Sequence, residues 1–339
     1  MEEKMEEGKV NINENEDVAA ENSIIKETIT ITNDTLATAV DQMNLDIQAD
    51  NILDEFAMPT IIEPSVTLIH EADPFKKIEI AGRTCYKSED KITEGTAKPF
   101  VDRMIKSKHL AMCEHGTIYL NIPVRLGNQH TVERYFYNAY SRVEEDKERH
   151  SFCVTTNLRV LIENEWMDDL CYLCEPTEYH VKRVTVKFIL DQGVMREFTR
   201  HRVFSFACES TRYCNYSKNK FNNEVTFIKP CWYDNINVEN ERPYEEDDSN
   251  MAIYWFERGL KEAEEKYFEL LKRGWKPQQA REILPLATKC DLVMTGFVDD
   301  WDYFFDLRTR GTTGAPHPQA KELAEPLLTE FIKRGILLL

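Results

Sequence analysis

The chain has 339 residues, a formal net charge of −18 and a sequence pI of about 5.0. Hydrophobic residues make up 42% of it, including 17 Phe and 14 Tyr, which is typical of a globular protein with a sizeable core. No run of about 18 apolar residues occurs, so no membrane-spanning helix is expected. The surplus of acids argues against nucleic acid as the main partner.

The acidic residues are concentrated at the N-terminus. Residues 1–60 hold 15 Asp or Glu and three Lys, a net charge of −12, whereas the other 279 residues hold 45 acids and 39 bases. We therefore expect residues 1–62 to form a disordered acidic extension and residues 63–339 to form one domain. Within the extension, the alternation at 25–31 is compatible with a strand and 36–53 with a weak helix.

Past the extension, the sequence pattern predicts strands and helices in mixed order. Strands are predicted at 66–69, 117–124, 181–190 and 291–296, and helices at 96–108, 152–162, 194–203, 251–275, 277–285, 300–310 and from 317. Asp73 is expected to cap a further short helix that begins at Pro74. The predicted class is α+β, a mixed or antiparallel sheet with packed helices. A dinucleotide-binding Rossmann unit is not expected, because no Gly-x-Gly-x-x-Gly follows a strand.

The cysteines and the N-terminus indicate a reducing compartment. Nine cysteines are scattered through a chain too large to need disulfides, and the start of the chain has no apolar signal segment, so a cytoplasmic protein is expected. Cys171 and Cys174 form a C-x-x-C pair. No second pair at zinc spacing accompanies them, so no metal site is predicted.

An arginine-rich stretch, residues 196–220, contrasts with the acidity of the chain. It reads R-E-F-T-R-H-R-V-F-S-F-A-C-E-S-T-R-Y-C-N-Y-S-K-N-K, with four arginines and only two acids. Guanidinium groups present a donor fork that fits phosphate oxygens, so the stretch is either an anion site or a basic surface helix. Its spacing, Arg200-His201-Arg202 followed after seven residues by Ser210, resembles the signature of the flavin-dependent thymidylate synthases.

Four further segments carry the same resemblance. They are His109-x4-Glu114-His115, Thr156-Asn157-Leu158-Arg159, Ala280-Arg281-x-x-Leu284-Pro285, and Trp301-x-x-Phe304-Phe305-x-Leu307-Arg308 followed by His317-Pro318-Gln319. The resemblance covers residues 66–334 in one consistent order. It implies the family's fold and the methylation of dUMP to dTMP, with FAD as cofactor, NADPH as reductant and methylenetetrahydrofolate as carbon donor. It also implies a homotetramer with active sites shared between subunits, in which one chain carries arginines without acidic partners.

The resemblance also implies residue roles. Arg308 would hold the uracil ring and stabilise the negative charge that builds on it, and His109 would lie beside the flavin; both are expected to be catalytic. The expected flavin-binding residues are Arg200, His201, Arg202, Tyr303 and Ala111. The expected nucleotide-binding residues are Glu197, Arg200, Glu209, Ser210, Thr211, Arg212, Arg281 and Arg308.

Three positions depart from the family pattern. Phe297-Val298-Asp299 stands where Asn or Thr and then Arg are usual, Tyr303 replaces an Asn or His, and Ala111 replaces a hydroxyl residue. One alternative is therefore a nucleotide- or flavin-binding relative without catalysis. A thiol nucleophile at Cys208 or Cys214 is a second alternative. A basic RNA-binding module is a third, which the acidity disfavours. For His109, a structural role is the alternative to catalysis.

Overall fold

The computed structural model describes residues 58–125, 127–234 and 246–337. The strand and the helix predicted at 25–31 and 36–53 lie outside these residues. Thr60–Ile62 forms a strand, so the described fold begins ahead of the predicted boundary at residue 63.

Nine strands and nine helices build the described part of the chain. The strands are β1 Thr60–Ile62, β2 Ser65–Leu68, β3 Thr117–Pro123, β4 Arg142–Asp146, β5 Ser151–Asn157, β6 Arg183–Asp191, β7 Ser205–Cys208, β8 Thr226–Ile228 and β9 Lys289–Phe297. The helices are α1 Pro74–Tyr86, α2 Ala97–Lys106, α3 Gln129–Phe136, α4 Leu158–Glu163, α5 Gln192–Phe198, α6 Glu246–Lys272, α7 Pro277–Ala280, α8 Val298–Phe305 and α9 Pro318–Lys333. Short 3₁₀ turns connect them, and a π-helical turn, Asp306–Arg310, follows α8.

The strands form three sheets. The largest has four antiparallel strands in the order β2-β6-β9-β7, and a second has three antiparallel strands in the order β3-β5-β4. The strands β1 and β8 pair in parallel. The longest ladder joins β6 and β9 from Arg183 opposite Phe297 to Asp191 opposite Lys289. The predicted α+β class, with a mixed or antiparallel arrangement and packed helices, is confirmed.

The main core lies between the four-stranded sheet and helices α8 and α9. Trp301, Phe304 and Phe305 project from α8 and Phe331 from α9, and all four side chains are fully buried. The indole Nε1 of Trp301 donates a hydrogen bond to the Val184 carbonyl at 3.2 Å, which satisfies its polar atom. Burying each such ring contributes about 1.5–3 kcal/mol. This core fixes α8, and with it the position of the π-helical turn that follows.

A second core covers the three-stranded sheet with α1 and α2. Asp73 caps α1 through hydrogen bonds from the Phe75 and Lys76 amides, as predicted, and Pro74 occupies the first turn. The Phe100 ring of α2 packs so closely on Gly82 of α1 that a Cβ there would lie 2.5 Å from it. Gly82 therefore sets the distance between the two helices.

The structure corrects two predicted helices. Residues 152–162 were expected to be helical throughout, but β5 occupies 151–157 and only 158–163 is helical. The β-branched run Val154-Thr155-Thr156 fits a pleated strand, and the Asn157 side chain then caps α4. The predicted helix at 194–203 ends at Phe198, so Arg200, His201 and Arg202 lie in a turn.

Two predicted boundaries shift. The helix predicted at 300–310 is regular only over 298–305 and ends in the π-helical turn. The predicted loop at 223–250 contains β8, and α6 begins within it at Glu246. In the described ranges, no helix has the length and apolar character needed to cross a membrane.

Candidate active site

The helix α5 carries the arginine-rich motif away from the end of β6. Asp191, the last residue of β6, caps this helix because its Oδ1 accepts a hydrogen bond from the Val194 amide at 2.9 Å. Its Oδ2 accepts a second one from Gln319 Nε2 at 3.1 Å, which ties α5 to the start of α9. A single buried carboxylate thus sets the direction of the helix on which the site is built.

Arg308 lies against the end of α5. Its Nη1 lies 2.5 Å from Glu197 Oε2, its Nη2 donates to the Glu197 carbonyl at 3.1 Å, and its Nε donates to His201 Nε2 at 3.0 Å. The side chain is 16% exposed. Three of its five N–H groups are therefore used by described residues, and two remain to donate to a ligand. The prediction that the arginines lack acidic partners is wrong for Arg308.

His201 is held in its neutral form beside Arg308. Burial, and then the nearby Arg308 charge, lower the pKa of His201 from 6.5 to about 4. At neutral pH its Nε2 therefore has a free lone pair and accepts the Arg308 hydrogen bond, which leaves the proton on Nδ1. The ring also packs on Phe304 at 4.9 Å between centroids. His201 orients Arg308 in this chain.

A polar cavity of about 410 Å³ lies beside α5. It is lined by Gln192, Met195, Arg196, Thr211, Arg281, Glu282, Leu284, Pro285, Leu286 and Thr288. Arg281 Nη1 donates to Thr211 Oγ1 at 3.0 Å, so two residues predicted to bind the nucleotide meet here although 70 positions separate them. Two guanidinium groups, those of Arg196 and Arg281, face one cavity, which suits an anion.

Arg196 and Gln192 were missed as site residues by sequence reasoning. They stand four positions apart on α5, so the helical period places both on the same face. That spacing, together with the position of Arg196 at the start of the arginine-rich stretch, is the signal that could have identified them.

A second cavity of about 350 Å³, the histidine cavity, lies beside α1 and the 3₁₀ turn Leu110–His115. It is lined by Cys85, Tyr86, Met104, Lys108, His109, Leu110, Ala111, Met112, Arg159 and Glu163. The predicted flavin neighbours His109 and Ala111 both line it. Arg159 is fixed at its edge by Glu114 at 2.5 Å and Glu163 at 2.8 Å. Aromatic, apolar and cationic groups thus converge on this space.

The remaining predicted cationic ligands are exposed on the surface. Arg200 and Arg202 lie in the turn after α5 and form no ion pair within the part of the chain that the structure describes. Arg212 stacks on the Tyr213 ring, 5.4 Å from its centroid. Tyr303 is 57% exposed on α8. The four arginines at 200, 212, 281 and 308 therefore do not share one cavity within a single chain.

Glu209 and Ser210 have internal partners. The Glu209 carboxylate is 2% exposed and lies 2.8 Å from Lys289 Nζ, and it lines neither of the two cavities. The Ser210 amide donates to the Cys85 carbonyl at 3.0 Å. The turn between these residues and Arg212 is thus anchored to α1 and β9.

The comparisons with known proteins point to one family. The family model described as thymidylate synthase complementing protein matches residues 175–334, which contain the arginine motif, Arg281 and Arg308. Over this segment, which is just under half of the chain, the sequence is similar to that family. The matched segment includes α5 and every residue that lines the polar cavity.

Two curated relatives match part of the chain. A probable flavin-dependent thymidylate synthase of Paramecium bursaria Chlorella virus 1 is 28% identical over 151 residues, 44% of this chain and 66% of the relative. A flavin-dependent thymidylate synthase of Pyrococcus abyssi (strain GE5 / Orsay) is 30% identical over 138 residues, 41% of this chain and 49% of the relative. The chain thus spans less than two thirds of the length of each.

Two solved structures are similar at low identity. Both are of a UMP/dUMP methylase, PolB, from Streptomyces cacaoi. The structure bound with 5-Br UMP has a TM-score of 0.42 at 17% identity and covers 81% of this chain and 92% of its own. The structure bound with 5-Br dUMP has a TM-score of 0.40 at 19% identity, with 81% and 93% covered.

Asp299, which departs from the family pattern, forms an ion pair with a nearby arginine. Arg142 on β4 reaches the first turn of α8, where its Nη2 lies 3.1 Å from Asp299 and 3.6 Å from Asp300. The same guanidinium stacks on Phe297, 4.4 Å from the ring centroid. A cation is therefore present beside α8 although residue 299 is an acid. It comes from a different strand.

The thiols near the motif have raised pKa values. Burial raises the pKa of Cys208 and that of Cys214 to about 11 each. At neutral pH both remain protonated, and a protonated, buried thiol is a poor nucleophile. The structure therefore disfavours the thiol alternative. In the C-x-x-C pair, Cys171 is exposed and Cys174 Sγ lies 3.7 Å from His180 Nε2.

Proposed function

We propose that this protein methylates dUMP to dTMP with a bound flavin, FAD. In this reaction, methylenetetrahydrofolate supplies the carbon and NADPH the hydride. A bond forms from C5 of the uracil to the transferred carbon, the C5 proton leaves, and the carbon is reduced to a methyl group. The other products are tetrahydrofolate and NADP⁺. The match to the family model over residues 175–334 supports this reaction.

The observation that carries the proposal is that α5 contributes both to the polar cavity and to the contacts of Arg308. One side lines the polar cavity with Gln192 and Arg196, and the end of the same helix holds Arg308 through Glu197. A nucleotide has an anionic phosphate and a ring in which charge develops during methylation. A single helix that serves an anion cavity and a buried arginine suits both parts of such a ligand.

The polar cavity is the proposed phosphate site. Arg281 and Arg196 would donate to the phosphate oxygens, with the Thr211 hydroxyl held by Arg281 at 3.0 Å. Charge-assisted hydrogen bonds of this kind are stronger than neutral ones. One guanidinium group can also donate two parallel hydrogen bonds to two oxygens of the same phosphate. This assignment keeps Arg281 and Thr211 in the role that the resemblance implied and adds Arg196 to it.

Arg308 is the proposed stabiliser of the uracil ring. Making C5 nucleophilic builds negative charge at N3 and O4, and an arginine stabilises such charge because it keeps its proton. Its contacts with Glu197 and neutral His201 fix the guanidinium before the substrate binds. The two N–H groups that remain would donate to the ring.

The histidine cavity suits part of a flavin. Tyr86 offers a ring face and Lys108 a cation in a space whose other walls are largely apolar, a donor set that matches an isoalloxazine ring. His109 and Ala111 line it, in agreement with the roles implied for them. When bound, the flavin supplies the redox chemistry of the reaction. The exposed Arg200 and Arg202 would donate to its diphosphate.

A homotetramer with shared sites is part of the proposal. Arg200, Arg202 and Arg212 are exposed, and the two cavities of one chain do not contain them. A neighbouring subunit that places its own site against these arginines would give each of them an anionic partner.

The proposal is tested by rescue of a thymidine-requiring strain. Expression of the wild-type chain should restore growth without thymidine, whereas Arg308→Ala should not. The purified wild-type protein should be yellow and should form dTMP from dUMP. A colourless protein that binds dUMP but does not rescue growth would instead favour a nucleotide-binding relative without catalysis. The acidic residue Asp299, where the family pattern has Arg, is the reason to consider that alternative.

A further inference from the structure

Six charged side chains form a network beneath the turn that follows β7. They are Lys87, Lys187, Lys289, Glu89, Glu209 and Asp291. The side chains of Glu209 and Asp291 are each 2% exposed, and Lys289 Nζ lies 2.8 Å from the first and 2.6 Å from the second. The Glu209 amide also donates to the Asp291 carbonyl at 2.8 Å. Contacts of both its main chain and its side chain thus hold Glu209 in place.

Because the carboxylates of this network are buried, they must stay close to their lysine partners. Burial alone would raise the pKa of Asp291, but the ammonium groups of Lys289, Lys87 and Lys187 hold it well below its ordinary value. A buried carboxylate that loses its partner retains the full cost of desolvation, so a shift of Glu209 away from Lys289 is opposed. The network therefore restrains the chain on either side of Glu209.

The restrained chain is the turn Glu209–Arg212, which connects the two cavities. The Ser210 amide donates to the carbonyl of Cys85, a residue that lines the histidine cavity. The next residue, Thr211, lines the polar cavity and accepts the hydrogen bond from Arg281. The position of the Thr211 hydroxyl thus depends on a turn whose first residue is buried among lysines.

We propose that Glu209 is a positioning residue: its paired carboxylate holds the Glu209–Arg212 turn so that the Thr211 hydroxyl meets Arg281 in the polar cavity. Glu209 then controls nucleotide affinity without touching the nucleotide, in contrast to the ligand role that the resemblance implied. The inference rests on the proposed function, because it requires the polar cavity to receive the phosphate of dUMP.

The test compares Glu209→Gln with Glu89→Gln in the full chain. Glu89 belongs to the same network, but its side chain is 33% exposed and does not contact the turn, which makes it a matched control. Titration calorimetry with dUMP should show the dissociation constant rising about tenfold for Glu209→Gln, since small misplacements of a site are costly. The control should stay near the wild-type value, and flavin content should be unchanged in both.

Lys289→Gln removes the other half of the pair and serves as the second variant. It should weaken dUMP binding to a similar extent. The double variant should weaken it by less than the two single effects combined, because both substitutions remove the Glu209–Lys289 pair. Wild-type affinity in Glu209→Gln would overturn the positioning role, as would a parallel loss of flavin and thermal stability. Failure of the wild-type protein itself to bind dUMP would instead overturn the proposed function.

Discussion

Two arginine–histidine groups lie at the four-stranded sheet, and they differ in what their arginines can still bind. In the inner group, Arg183 is 7% exposed and donates to the Glu114 carbonyl at 2.9 Å and to Ser205 Oγ at 3.1 Å. Burial lowers its pKa from 12.5 to about 10. Its neighbour His115 is fully buried, with Nδ1 2.8 Å from Thr295 Oγ1.

The outer group has the same residue types in a different setting. Arg308 pairs with the Glu197 carboxylate and keeps two N–H groups for a ligand. In the described part of the chain, Arg183 has no carboxylate within ion-pair distance. The difference teaches that an arginine becomes a site residue where its remaining donors can reach a ligand. The Arg308 side chain is 16% exposed, whereas Arg183 Nε is buried without a partner. A histidine neighbour is common to both groups.

The largest effect is expected from Arg308→Ala. If Arg308 stabilises the charge on the uracil, dTMP formation should fall about 10²–10³-fold, as for the loss of one donor to a developing anion. The thermal midpoint should change little. The matched control is Arg310→Ala, two residues away, whose guanidinium is 39% exposed and paired with Asp302 and Asp306. Equal turnover by both variants would refute the role of Arg308.

The reverse pattern is expected for Arg183→Met. The substitution leaves the Ser205 hydroxyl and the Glu114 carbonyl without their donor, so the free energy of unfolding should fall by about 3 kcal/mol. Turnover per folded molecule should remain close to that of the wild type. Urea unfolding measures the first quantity, with Arg273→Met as control, because the Arg273 side chain is 71% exposed and its partner Glu269 is exposed too. If turnover falls and stability does not, the comparison between the two groups is wrong.

The two histidines should make stability depend on pH. Burial lowers the pKa of His115 from 6.5 to about 3 and that of His201 to about 4. Between pH 6.5 and about 4, the unfolded chain therefore binds more protons than the folded one. Their contribution is fully present above pH 6.5 and is lost as the pH falls, by up to about 1.4 kcal/mol per unit for each histidine.

Replacement of one histidine separates the two contributions. His115→Gln should reduce the pH dependence of the unfolding free energy between pH 6.5 and 5 by about one histidine's share. His130→Gln, whose side chain is 98% exposed, should leave the pH dependence unchanged. An identical pH profile for His115→Gln and the wild type would show that His115 can be protonated in the folded protein.

The smallest effect is expected in the polar cavity. Arg281→Ala and Arg196→Ala should each weaken dUMP binding about tenfold, since each removes one charge-assisted contact among several. Flavin should be retained. Arg273 is an exposed arginine just after α6, and Arg273→Ala should bind dUMP like the wild type. Loss of flavin without a change in dUMP affinity would mean that the cavity has been assigned to the wrong ligand.

Arg212→Ala tests whether an arginine outside both cavities also contributes to dUMP binding. We also expect weaker dUMP binding with flavin retained, although Arg212 lines neither cavity of its own chain. An effect as large as that of Arg281→Ala would indicate that Arg212 acts on the site of a neighbouring subunit.

Much of the fold could be predicted because its signals are local. The cap at Asp73, the long helix that stops just before Gly274 and the apolar face of Trp301, Phe304 and Phe305 depend on signals along the chain. Short segments were harder. Residues 152–162 and 194–203 each combine two structures, and their boundaries are decided by a cap or a turn that apolar periodicity does not reveal.

For the site, the sequence by itself determined which residue types and motifs are present, because guanidinium groups at a characteristic spacing are a property of the chain. Tertiary structure alone decided their partners. It paired Arg308 with Glu197, buried Glu209 among lysines and brought Arg281 to Thr211. These contacts join residues 70 or more positions apart, and hydrogen bonds and ion pairs act only over a few ångströms. Which charges meet therefore depends on how the strands and helices pack.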